Sequence, residues 1–181
     1  MLVTPSKGRR GAGFTLIELM VVIATVAILA ALAAPSLRNF AANQALAGVT
    51  SDLMAASMTA RSTAINRNQT VVIEPVSGTD WTSGWRVYVD KDASGDFDPT
   101  QDNEVVVGSP VPDTVAVNSN TVTNCSPKDK FAYSPDGFLK VGGMLGNGGV
   151  PFKSTVTSRD RCVVFDRAGR TRICGAGTEN C

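Results

Sequence analysis

Residues 14–34 form an apolar run that contains one charge, Glu18. At about 1.5 Å rise per residue, a helix over this run is roughly 31 Å long, enough to cross a bilayer core. Lys7, Arg9 and Arg10 precede it. A carboxylate inside such a span costs on the order of 2.5–3.5 kcal/mol at mid-bilayer, so it is rarely without a role. Pro35 ends the continuous run; proline removes a backbone donor and bends a helix without having to stop it. Downstream, Leu46, Val49, Leu53, Ala56, Ala60 and Ala64 recur at steps of three and four, one apolar face of an amphipathic helix. The pattern predicts one helix over residues 14–66, membrane-spanning over 14–34 and packed on a globular domain in its second half. The apolar run alone also fits a secretory signal peptide, with Ala31-Leu32-Ala33 as an A-x-A site, or a plain membrane anchor. Both leave Glu18 unexplained.

Beyond Asn68 the pattern turns to short β-branched and aromatic runs: 71–73, 85–89, 104–107, 114–117, 130–133, 162–165 and 170–173. Turn residues separate them at 92–95, at Pro110 and Pro112, at Pro135-Asp136-Gly137 and at 166–169. Residues 142–149 read as a mobile glycine-rich loop. The expected fold is α+β: a long N-terminal helix packed on antiparallel sheets, with residues 67–181 as the β domain.

Composition narrows the chemistry. The chain has 181 residues and no histidine, which removes Ser-His-Asp and Cys-His catalysis and every His-ligated metal site. No carboxylate pair or nucleophile–base set stands out, and no enzyme or cofactor is expected. The formal charge of +1 hides an uneven split. Residues 14–127 carry 5 basic and 11 acidic side chains, residues 128–181 carry 9 basic and 5 acidic. The basic C-terminal third suggests a patch for an anionic partner. Four cysteines, Cys125, Cys162, Cys174 and Cys181, lie past the apolar segment. An even count in an exported domain suggests two disulfides. Of three possible pairings we favour Cys174–Cys181, which closes a short glycine-containing loop, together with Cys125–Cys162. Zinc is the alternative, without any C-x-x-C spacing to support it.

Gly13-Phe14-Thr15-Leu16-Ile17-Glu18-Leu19, behind its basic leader, resembles the processing site of type IV prepilins and type II secretion pseudopilins. The resemblance implies a 1–13 leader removed by prepilin peptidase, cleavage after Gly13, N-methylation of Phe14, and pairing of Glu18 with the N-terminal amine of a neighbouring subunit. That pairing is physically sensible, because a carboxylate buried among apolar helices needs a cationic partner.

The rest of the chain resembles the GspH/FimT-type minor pilins. Ala60-Arg61-Ser62-Thr63-Ala64-Ile65-Asn66-Arg67 is similar to that family's helix end, with Thr63 departing from a frequent glutamate. Trp85-Arg86-Val87-Tyr88-Val89-Asp90 is similar to its first hairpin, and Arg161-Cys162-Val163-Val164 with Gly169-Arg170-Thr171-Arg172 to its last. The resemblance implies a structural subunit that initiates or caps a type IV pilus or a type II secretion pseudopilus. Its implied place is the bacterial inner membrane, single-pass, with a periplasmic domain and other pilins as partners. In FimT-type pilins of transforming bacteria a G-R-x-R motif is associated with DNA binding. That implies weak, non-sequence-specific DNA contact here through Arg170 and Arg172, with Arg167 and Arg161 nearby. A dedicated DNA-uptake receptor is the alternative role. The competing reading is that these arginines pair with Asp160, Asp166 or another subunit.

Asp90-Lys91-Asp92-Ala93-Ser94-Gly95-Asp96-Phe97-Asp98 has the oxygen spacing of a calcium loop, with Asp90, Asp92, Asp96 and Asp98 as candidate ligands. Gln101 stands where the bidentate glutamate belongs, so an acidic hairpin turn without metal is the expectation. Trp81 and Trp85 are expected in the core rather than as a stacking platform for bases.

Overall fold

The structure, a computed structural model, describes residues 14–118, 125 and 127–175. The proposed cleavage site at Gly13 and the half-cystine candidate Cys181 lie outside the described residues. Helix α1 runs Leu16–Arg67 with Pro35 inside it. Its start is a reciprocal cap. The Glu18 amide donates to Thr15 Oγ1 at 3.3 Å, and Glu18 Oε2 accepts from the Thr15 amide at 2.9 Å. Its end is set by Asn68, which takes the left-handed conformation at φ 52°. The Asn68 amide then reaches the Ile65 carbonyl (3.4 Å) and the Gln69 amide the Ala64 carbonyl (3.2 Å), the two bonds of a Schellman cap.

Two compact units divide the chain at Arg38. In residues 14–38 every side chain is exposed. The unit from Asn39 onward holds the second half of α1 and the strands, which form two antiparallel sheets. One contains β1 (Val71–Ser77), β2 (Asp80–Val89), β3 (Asn103–Val107), β5 (Phe131–Tyr133), β6 (Leu139–Val141) and β7 (Met144–Leu145), in the order β3-β2-β1-β5-β6-β7. The other contains β4 (Val115–Val117), β8 (Gly148–Ser154), β9 (Asp160–Phe165) and β10 (Thr171–Gly175), in the order β10-β9-β8-β4.

The loop expected over 142–149 is corrected. Gly142 and Gly143 make the tight β6–β7 turn with φ of 59° and 83°, and residues 148 onward enter β8, an inner strand of the second sheet. Glycine at 148 is a packing requirement, not a sign of looseness. A Cβ there would stand 2.8 Å from Phe131 Cε1. Phe131 in turn stacks on Phe165 with centroids 4.0 Å apart and tilts against Trp81.

A single buried cluster joins three layers. Leu46, Val49, Leu53, Ala60 and Ala64 come from α1, Ile73, Val87 and Tyr133 from the first sheet, and Val150, Val163 and Phe165 from the second. Inside it, Ser57 Oγ bonds both Tyr133 Oη (2.6 Å) and Thr171 Oγ1 (2.5 Å), one from each sheet. On the outer face of the second sheet a disulfide joins Cys125 to Cys162, with Cα atoms 6.1 Å apart. Cys174 lies opposite Cys162 in register and is also disulfide-bonded. Trp81 and Trp85 are buried as core, and the Trp81 indole donates to the Lys128 carbonyl at 2.8 Å.

Leu53 is fully buried and Met58 is exposed on the same helix. Leu53→Ala is expected to cost about 2–5 kcal/mol of unfolding free energy, and Met58→Ala less than about 0.5. Denaturant unfolding of the two variants measures the difference.

Candidate functional site

The candidate site is the β9–β10 hairpin. The Asp166 amide donates to the Arg170 carbonyl (2.9 Å), the Gly169 amide to the Asp166 carbonyl (2.7 Å), and the Ala168 amide to Asp166 Oδ1 (2.9 Å). Asp166 thus caps its own turn. Gly169 has φ 77°, and a Cβ on it would fall 1.9 Å from the Gly137 carbonyl oxygen. The two turns, 135–137 from the first sheet and 166–169 from the second, meet backbone to backbone at these glycines.

Arg61 locks that meeting. From the last turns of α1 it donates through Nε to the Gly137 carbonyl and through Nη2 to the Ala168 carbonyl, both at 3.1 Å. The planar fork suits two acceptors on two separate turns, which a lysine cannot serve in the same way. Arg61 was not a candidate on sequence grounds; the only signal was its place in the Ala60–Arg67 stretch.

Arg172 lies on the outer face of the second sheet, the face of Val164, Cys162 and Cys174, whereas Arg170 precedes β10 and lines an open groove with Met58, Arg61 and Ile65 of α1. Both approach a single carboxylate oxygen, Asp166 Oδ2, at 3.8 and 4.0 Å. Their side chains stay 74% and 48% exposed. One anion therefore faces two cations at long range, and such exposed pairs are worth little. Arg167 is exposed in the turn, its amide donating to Asn147 Oδ1 at 2.7 Å. Arg161 shares the parity of Val163 and Phe165, so it lies on the face of the sheet opposite Arg172. The four arginines do not form one cluster.

The acidic loop is also rearranged from the expected set. Asp90, Asp92 and Asp102 bring one carboxylate oxygen each to within 4.8 Å of one another. Asp96 instead pairs with Lys130 at 2.6 Å, and Asp98 Oδ1 accepts from the Thr100 amide and hydroxyl. Asp102 joins because a turn at 98–102 carries the chain back, with its amide on the Asp98 carbonyl at 2.8 Å. Burial, and then the neighbouring Asp92, push the Asp90 carboxyl above the usual range. Hydrogen bonds from Ser94 and Thr100 hold Asp92 and Asp98 below it.

At the other end of the chain, Glu18 Oε2 accepts from both the amide and the hydroxyl of Thr15 at 2.9 Å. Phe14 and the apolar side chains beyond it are exposed.

Residues 49–169 match the family model described as type II transport protein GspH. The chain belongs to this family. Residues 8–34 match the prokaryotic N-terminal methylation motif. With that motif on a GspH domain, the protein is a minor pilin or pseudopilin, a structural subunit rather than a member of an enzyme family. Two crystal forms of the Pseudomonas aeruginosa type IV minor pilin FimU share its fold. One superposes with a TM-score of 0.52 at 16% identity, over 74% of this chain and 98% of that one. The other gives 0.53 at 17%, over 77% and 98%. No curated protein matches.

Within this GspH domain the Arg61 clamp is testable. Arg61→Ala leaves two carbonyls without their charged donor and is expected to cost about 2–4 kcal/mol of stability. Arg61→Lys is expected to recover less than about half of that loss, because a point charge cannot replace the fork. Thermal or denaturant unfolding of both variants checks the order.

Proposed function

We propose that the chain is made as a precursor held in the bacterial inner membrane, with residues 67–181 in the periplasm. Prepilin peptidase cuts after Gly13 and methylates Phe14. The subunit is then drawn by apolar helix packing into a type IV pilus or type II secretion pseudopilus, which it primes or caps. The observation that carries this reading is the first half of α1. It exposes an apolar surface from Phe14 to Phe40 whose one acid, Glu18, touches nothing but Thr15 among the described residues. Such a surface demands burial in lipid or against other helices. Once buried, the carboxylate needs a cation, and the amine of a neighbouring subunit is one that only correct stacking supplies.

A second reading is favoured by Arg170 and Arg172, which approach the same carboxylate and keep their side chains exposed. Two exposed guanidinium groups beside one carboxylate suit phosphate oxygens. Beside Arg170 lies an open groove of about 430 Å³, lined by Met58, Arg61, Ile65 and Thr171. DNA contact here would be weak, blind to base sequence, and lost at about 0.9 log units per log salt for each phosphate released.

Glu18→Ala is expected to leave the protein in the membrane fraction and remove it from sheared filaments. Unchanged incorporation would count against the assembly role. For the DNA reading, the detergent-solubilised chain is expected to retard duplex DNA in a gel at low salt. Arg170→Ala with Arg172→Ala should abolish the retardation, while Arg161→Ala, on the other face, should leave it unchanged. Equal retardation by the double variant removes this site.

A further inference from the structure

We propose that the loop between β2 and β3 binds a hard divalent cation of the calcium class through Asp90, Asp92 and Asp102. The oxygens of these three residues converge to within 4.8 Å. Convergence of acids is common and is not sufficient. The deciding observation is Asp90, only 7% exposed, whose Oδ1 is buried without a hydrogen-bond partner. Its other oxygen accepts from the Gly95 amide at 3.1 Å. A buried carboxylate oxygen with no hydrogen-bond donor, beside two further carboxylates, is a strongly unfavourable arrangement unless a cation, or a proton shared with Asp92, completes it.

No protein cation does so. Among the described residues no lysine or arginine makes an ion pair with Asp90, Asp92 or Asp102. Both nearby lysines are committed elsewhere. Lys130 bonds Asp96 and the Gly95 carbonyl, and Lys91 Nζ bonds Asn103 Oδ1 at 3.0 Å. Asp102, also 7% exposed, spends one lone pair of each oxygen on the loop itself, on the amides of Lys91 (3.0 Å) and Asp98 (2.9 Å). Each carboxylate oxygen keeps a second acceptor site.

The donor set fixes the class of ion. Three carboxylates, with neither imidazole nor thiolate, suit calcium, magnesium or manganese. Calcium takes irregular oxygen sets completed by water and carbonyls, whereas magnesium demands near-octahedral geometry, so an irregular loop favours calcium. The expected affinity is that of weak modules outside the cytosol, Kd about 0.1–1 mM. The ligand set is not the linear 1-3-5-7-9 series, since Asp96 and Asp98 are engaged elsewhere.

The test is calorimetric titration of the full chain in detergent with calcium chloride alone, alongside thermal unfolding with and without the ion. One saturable site and a raised Tm are expected. Asp92→Asn, which keeps an acceptor for the Ser94 amide, should weaken binding at least about tenfold, while its Tm without calcium is unchanged or higher. Asp96→Asn and Asp98→Asn should bind within about twofold of the parent chain. The proposal is overturned by the absence of a saturable signal and Tm shift up to about 10 mM calcium, or by parent-like binding of Asp92→Asn. A tenfold loss from Asp96→Asn or Asp98→Asn overturns the assigned ligands.

Discussion

The main core of this domain is shared by its two sheets, which are closed by the same stripe of α1. Leu46, Val49, Leu53, Ala56, Ala60 and Ala64 supply that stripe, and strands of both sheets bury against it. The residues grow smaller toward the C-terminal end of the helix, where alanines replace leucine and valine. Small side chains let the backbones approach, and polar links take over from bulk. Ser57 bonds a hydroxyl from each sheet, and one turn later Arg61 bonds a carbonyl from each. Every feature of the β9–β10 hairpin rests on that convergence.

The same convergence assigns two parts to the Gly169-Arg170-Thr171-Arg172 stretch. Gly169 is fixed by its φ and by the Gly137 carbonyl, and Thr171 points inward to Ser57 and Tyr133. Only Arg170 and Arg172 are left facing outward. Any role of the stretch in binding therefore falls on its two arginines, while glycine and threonine hold them in place. Asp166 lies within 4.0 Å of both through Oδ2 while its Oδ1 caps the turn.

Periodicity carried the helix and most strands because both are local properties. The stripe at steps of three and four was legible, as were the β-branched and aromatic runs of β2 and β9. What escaped was non-local. Gly148 reads as loop until Phe131 is seen against it, and Arg61 reads as a solvated helix residue until two turns arrive from opposite sheets. Linear spacing grouped Asp96 and Asp98 with Asp90 and Asp92, but the chain turns at 98–102 and brings Asp102 to them instead. The arginines divide for a similar reason. The hairpin resemblance grouped Arg161 with Arg172, and strand parity puts them on opposite faces.

Glu18 raises a question of competition. It is part of the helix cap in the single subunit, and the proposed assembly gives it a second partner, a cation. A carboxylate offers about four acceptor sites. Both Thr15 donors fall on Oε2, and among the described residues Oε1 accepts nothing. The cap therefore leaves half of the carboxylate open. It also restrains the side chain against the helix start, which lowers the entropy lost when a partner binds. Capping and the proposed pairing are compatible on this geometry, since the cap occupies Oε2 and not Oε1.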